Sequence, residues 1–133
     1  MSAESEIPGF IKLPSQHSVA TTIDRLEASL RRRDILVFAR IDFSGDAARA
    51  GLRMQPEQML IFGNPKAGTP LMLHVPAVGL DLPLKALAWE DPGAKVWVAY
   101  NDPLYLVRRY GIEVALAANL AAVVPIIEAT AGA

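Results

Sequence analysis

Hydrophobic and polar positions follow two rhythms along this chain, and the switches between them mark out its elements. Val19, Ile23, Leu26 and Leu30 recur at helical spacing and form one apolar stripe, which predicts a helix over Val19–Arg33. Ser18 precedes it as a capping hydroxyl, and Glu27 stands one turn before Arg31. Arg31, Arg32 and Arg33 crowd the last turn, where exposed carbonyls favour cations, so a solvated helix end explains this basic run better than an anion site. Ile35–Phe43 alternates with period two, placing Val37, Ala39, Ile41 and Phe43 on one strand face and Leu36, Phe38, Arg40 and Asp42 on the other. Ser44-Gly45-Asp46 breaks the strand, and Asp46 is placed to cap a short helix reaching Leu52. Ile7–Leu13, bounded by Pro8 and Pro14, reads as a strand at a sheet edge, where a missing N–H is tolerated. Glu57–Gly63 reads as a third strand.

Gly63 to Gly68 reads as a turn, with Thr69-Pro70 as the cap and first residue of a short helix ending at His74. Leu84–Glu90 and Lys95–Tyr100 flank Asp91-Pro92-Gly93-Ala94 as a hairpin, with Gly93 supplying the positive φ. A loop of those residues alone sets Glu90 opposite Lys95, Trp89 opposite Val96 and Ala88 opposite Trp97. Asp102-Pro103 opens another short helix that Gly111 stops, and Ile112–Thr130 reads as one long helix striped with Leu116, Leu120, Val123 and Ile127. The order β-α-β4-α, with short helices interposed, implies an α+β two-layer sandwich: an antiparallel sheet with helices on one face. Residues 1–133 are expected to form a single domain with a flexible N-terminus over 1–6. Strand faces turned from the helices also carry Phe, Leu and Trp, and a sheet apolar on both faces needs a second cover. A homodimer is the simplest one.

Composition narrows the function without naming it. The 133 residues are 52% hydrophobic and 20% charged, which suits a folded core and excludes disorder. Thirteen basic residues against fourteen acidic ones leave no surplus of the kind nucleic acid demands, so no nucleic-acid partner is expected. The chain has no cysteine and only two histidines, His17 and His74, so neither a metal nor a cofactor is expected. No secretory signal precedes the first strand. The most apolar stretch, Val114–Ile127, contains Pro125 and is shorter than the roughly 17–25 residues of a spanning helix. A cytoplasmic protein with no membrane partner follows as the expectation.

Several segments invite a chemical reading. Leu60 to Pro70 presents strand, Gly-x-x-x-x-Gly-Thr and helix start in the order of a phosphate loop, but the lysine is missing because Thr69 directly follows Gly68. An anion held by free N–H groups at that helix start stays open. Asp42, Glu90 and Asp91 end strands and could share acid–base work if the fold brings them together; ion pairing and turn capping are their commoner uses. His74 reads as a packed histidine and His17 as an exposed one. Trp89, Trp97 and Tyr100 are candidate walls of an apolar pocket. No Gly-x-Ser-x-Gly elbow is present, and no constellation compels an enzyme.

Four blocks carry a family resemblance: FARID (Phe38 to Asp42), QMLIFGNPKAGTPLM (Gln58 to Met72), GLDLPLKALAWED (Gly79 to Asp91) and KVWVAYNDP (Lys95 to Pro103). In content and order, from Ile11 to Gly111, the chain resembles the bacterial and archaeal family called domain of unknown function 302. The resemblance implies a two-layer fold similar to one TATA-box-binding-protein-like repeat and a homodimer, with no established activity, substrate or cofactor. Relatives often carry histidine at the positions of Phe43 and Tyr110, and glycine where Asp34 ends the first helix, a place where Asp tolerates the left-handed conformation. The leading expectation is a homodimeric small-ligand-binding or accessory protein without catalysis. Its ligand zone is expected among Asp42, Gly63, Asn64, Pro65, Asp81, Leu82 and Pro83, with Glu90 and Tyr100 as further candidates. The alternatives are an enzyme using the strand-end carboxylates on a small metabolite, and a structural interaction module whose apolar sheet face is its whole function.

Overall fold

Five strands form one antiparallel sheet in the computed structural model, which describes residues 3–132. They are β1 (Phe10–Ser15), β2 (Leu36–Asp42), β3 (Glu57–Gly63), β4 (Leu84–Glu90) and β5 (Val96–Asn101), in spatial order β1-β5-β4-β3-β2. The helices are α1 (Val19–Arg32), α2 (Phe43–Arg49), α3 (Pro65–His74), α4 (Pro103–Arg109), α5 (Ala117–Ala121) and α6 (Val124–Ala131). Ala3–Glu6, read from sequence as flexible, forms a short 3-10 turn, and Lys12 donates to Glu4 across 2.6 Å. The result is the expected α+β two-layer sandwich.

The principal helix forms for the reasons its sequence gives. Ser18 Oγ accepts the Thr21 N–H at 3.1 Å, and Val19, Ile23, Leu26 and Leu30 are all buried. Arg31 pairs with Glu27 at 2.9 Å, and Asp34 ends the run at φ +57°. The stripe of α1 meets Leu60 and Phe62 of β3, Ala86 and Ala88 of β4, and Val96 and Val98 of β5 in one core. Leu71 of α3, Leu106 and Val107 of α4, Leu120 of α5 and Ile127 of α6 complete it.

Several local expectations are corrected. In β2 a bulge lies between Val37 and Ala39, so the alternation slips by one residue at Phe38. Val37 opposite Phe62 and Arg40 opposite Leu60 face the helices, while Ala39 and Ile41 face outward. Arg40 accordingly reaches α1, donating to Asp24 at 2.6 Å, and bonds Gln58 at 3.0 Å. The short helix after β2 is capped by Asp42, not Asp46, and ends at Arg49.

The hairpin loop takes in Lys95 as well, and this moves the register by one. Trp89 stands opposite Trp97, Ala88 opposite Val98 and Glu90 opposite Val96. The positive φ falls on Ala94 at +66° and not on Gly93. Glu90 and Lys95 therefore do not pair. Lys95 instead lies over the Trp97 ring at 4.4 Å, as Lys12 does at 4.2 Å.

The long C-terminal helix is divided into a 3-10 turn (Val114–Leu116), α5 and α6, with Pro125 in the first turn of α6. Counted to Ala131, this stretch reaches 18 residues at mean hydropathy 1.8, long and apolar enough by composition to cross a membrane. Here Leu120, Val123 and Ile127 turn into the core. Beneath the helices, the far side of the sheet carries half-buried Met59, Ile61, Leu87, Trp89 and Trp97 with no other layer over them among the described residues.

Candidate functional site: an apolar cavity beside the third helix

The helix α3 starts earlier than its glycines suggest. Asn64 is the cap and Pro65 the first helical residue, so Pro70 sits inside the helix instead of opening it. Gly63 to Gly68 is thus a strand end running into a helix, and the phosphate-loop order dissolves. Asn64 Oδ1 accepts the Lys66 N–H at 3.0 Å, and the Asn64 carbonyl accepts those of Ala67 and Gly68 at 2.9 Å each. Pro65 has no N–H to give, so the first turn is fully satisfied from within.

Between the β3–α3 junction, the segment leading into β4 and α5 lies a cavity of about 330 Å³. Gly63, Asn64 and Pro65 supply one wall, followed by Ala67, Gly68, Thr69 and Met72 of α3. Leu82, Pro83 and Leu84 supply a second wall, and the Leu82–Pro83 peptide bond is cis. Asn119, Leu120 and Val123 close the far side, and Phe38, 55% exposed beside the bulge of β2, stands at the mouth. Gly79 borders Met72: a Cβ there would meet the Met72 sulfur at 3.5 Å.

Five of the residues singled out from sequence meet here: Gly63, Asn64, Pro65, Leu82 and Pro83. Phe38, Gly68, Met72, Asn119 and Val123 join them without having been anticipated as lining. Asp81 turns toward α4, where it accepts from Arg109 at 2.7 Å and from the Tyr110 hydroxyl at 2.6 Å. That bond holds the Tyr110 phenol above its ordinary value, because the hydrogen-bonded neutral form is favoured beside a carboxylate.

The carboxylates lie elsewhere. Leu36 pairs with Gly63 at one end of β2 and Asp42 with Gln58 at the other, so Asp42 is roughly 20 Å along the strand from the cavity end. Asp42 is committed as a cap, accepting from Gly45 N–H at 3.0 Å and Ser44 Oγ at 2.7 Å; these bonds hold its carboxyl below the usual range. Glu90 accepts from Gln55 at 3.3 Å beside the hairpin loop. Tyr100 faces the helices opposite Ala86, while Trp89 and Trp97 face outward, so these aromatics do not share a pocket. Burial, with the charges of Glu128 and Asp102, raises the Tyr100 phenol. His74 is exposed at the end of α3, not packed as expected. His17 is half-buried and bonds the Gly132 carbonyl at 3.1 Å. Among the described residues no cluster of three or more His, Cys, Asp or Glu side chains is placed to hold a metal ion.

The comparisons with known proteins bear on the fold and on the family. A family model described as "Domain of unknown function DUF302" matches residues 11–129. Two curated relatives are named "Fluoride-specific ion channel FluC 1": one from Brucella suis biovar 1 (strain 1330) and one from Brucella abortus biovar 1 (strain 9-941). Each is 45% identical over 104 residues, which is 78% of this chain. The chain spans about two fifths of their length, 41% and 38% respectively. Among solved structures, an uncharacterized conserved protein DUF302 from Bacillus stearothermophilus superposes with TM-score 0.75 at 22% identity. That superposition covers 92% of this chain and 95% of that one, and the agreement is in fold.

Proposed function

The chain belongs to the Domain of unknown function DUF302 family, and from that premise we propose that it is a small-ligand-binding protein without catalysis, using the cavity beside α3. One observation carries the reading: three segments far apart in sequence converge on an apolar concavity of about 330 Å³, within the range of about 300–1,000 Å³ typical of ligand sites. Gly68 supports it. A glycine inside a helix costs up to about 1 kcal/mol relative to alanine. Gly68 has no positive φ, and a Cβ would meet Leu82 Cδ1 at an ordinary 3.7 Å, so neither strain nor a clash calls for it. Its effect is to leave the cavity open.

The enzyme alternative draws less support, because Asp42 and Asp91 spend their oxygens on caps and turns at the end of the sheet remote from the cavity. The Brucella channel name belongs to proteins more than twice as long as the matched segment. We assign the shared part an accessory, ligand-responsive role and the channel activity to the remainder, with this chain acting in the cytoplasm.

The saturable enhancement of N-phenylnaphthylamine fluorescence tests the reading. One site per chain is expected, lost in Gly68→Leu, a variant whose helix propensity rises and whose side chain enters the cavity. An unsaturable response, or equal binding by a folded Gly68→Leu, overturns it.

A second reading concerns assembly. The outward sheet face, with Met59, Ile61, Leu87, Trp89 and Trp97 half-buried, supports a homodimer in which a second copy covers it. Sedimentation at micromolar concentration is expected to give a dimer that Ile61→Lys converts to a folded monomer. A wild-type monomer, or an unchanged dimer in Ile61→Lys, removes this interface.

A further inference from the structure

Building on the ligand-binding reading, we propose that the cavity selects uncharged molecules: a compact apolar body ending in a carbonyl, amide or hydroxyl group read by Asn64 and Asn119. None of the residues lining the cavity carries a charge. The nearby acid, Asp81, is tied to Arg109 and Tyr110 on α4. Of the nearby bases, Lys85 donates to the Pro83 carbonyl at 2.8 Å, and Lys66 is exposed between Pro65 and Ala67 without lining the cavity. An ion in this space would shed water and meet no charge of opposite sign in the lining, a loss that no apolar contact repays.

The start of α3 would ordinarily recommend an anion, and here its donors are withdrawn. Pro65 lacks an N–H, and the N–H groups of Lys66, Ala67 and Gly68 all end on Asn64. Only the helix dipole remains, and its positive end disfavours a cation. The same turn thus offers an anion no N–H donor and offers a cation the wrong end of the dipole.

What remains is a small set of neutral hydrogen-bonding groups. Asn64 spends its Oδ1 on the cap and keeps its NH2 group, and the Asn119 amide and Thr69 hydroxyl have no protein partner among the described residues. Asn64 therefore offers donors, which suit a ligand oxygen, while Asn119 offers both a donor and an acceptor. Around them Phe38, Met72, Leu82, Pro83 and Val123 form apolar walls for the body.

A matched pair of probes tests the inference: naphthamide and naphthoate, titrated at neutral pH and followed by backbone amide NMR, with N-phenylnaphthylamine as the reference. Naphthamide is expected to shift the resonances of Gly63, Gly68 and Leu82 and to bind about tenfold tighter than naphthoate, because an unpaired carboxylate resists burial. Asn119→Leu removes an exposed amide, and Asn64→Asp keeps a capping oxygen for Lys66. Each is expected to weaken naphthamide about fivefold relative to N-phenylnaphthylamine, the value of one neutral hydrogen bond. Naphthoate binding equal to or tighter than naphthamide at these residues overturns the charge selection and leaves the site standing. Failure of both naphthyl probes while N-phenylnaphthylamine still binds overturns the amide end alone. Failure of all three overturns the ligand-binding reading itself, and this inference falls with it.

Discussion

Trp97 donates its indole Nε1–H to Asp91 Oδ2 at 3.0 Å, while Asp91 Oδ1 accepts the N–H groups of Gly93 and Lys95 at 2.9 Å each. One carboxylate thus ties the hairpin turn to the strand that leaves it. The Trp97 bond, then the Lys95 bond, hold this carboxyl below its ordinary value near 3.8. A lowered folded-state pKa means that the stabilisation is complete above the unfolded value and is lost as pH falls through the folded one. Chemical denaturation at a series of pH values is expected to show wild-type stability dropping on acidification below about pH 4, with Asp42 contributing in the same sense. Asp91→Asn is expected to be less stable at neutral pH and to show a shallower acid dependence; an unchanged slope would refute the assignment.

Glu57 has the opposite sign. Burial raises its carboxyl above the ordinary 4.5, so ionisation works against the folded state as pH rises through that window. Glu57→Gln is therefore expected to melt above the wild type at neutral pH, with the gap closing below about pH 4. Thermal melts at the two pH values decide it.

Two phenylalanines near the cavity differ in how much core they support. Phe62 is fully buried, and Phe62→Ala is expected to cost about 3–5 kcal/mol in urea unfolding. Phe38 is more than half exposed at the cavity mouth, and Phe38→Ala is expected to cost under about 1 kcal/mol. Comparable losses for the two would contradict the placement of Phe38.

Gly68→Ala is expected to stabilise the protein by up to about 1 kcal/mol, since the helix gains propensity and the new methyl meets Leu82 at 3.7 Å. A destabilised variant would mean that the wall of the cavity is tighter than a 3.7 Å contact implies.

Most of this fold was legible because its signals are local. Ser18 before the Val19–Leu30 stripe, Asp102 before Pro103, Asp34 at the helix stop and the apolar run of β3 each need only their immediate neighbours. Local signals fall short where a distant constraint decides. The hairpin register depends on whether Lys95 joins the loop, and that single residue exchanges every cross-strand partner. The bulge at Phe38 follows from pairing with β3, which leaves no mark in the alternation itself. The start of α3 has a local signal too: Asn64-Pro65 is the same cap-plus-proline pair as Asp102-Pro103, obscured by two flanking glycines. At the cavity, Gly63 to Pro65 and Leu82-Pro83 stood out as backbone-shaping residues, whereas Asn119 and Val123 arrive from α5 and the turn after it, a proximity that only the tertiary packing creates.

The bulge in β2 also governs what the protein avoids. β1 and β2 are the two open edges of the sheet. The bulge divides the free edge of β2, and Pro14 removes an N–H from β1. Neither margin offers an unbroken row of donors and acceptors on which a further chain could crystallise strand by strand. An apolar, cysteine-free protein with a sticky sheet face is thereby steered away from fibril growth.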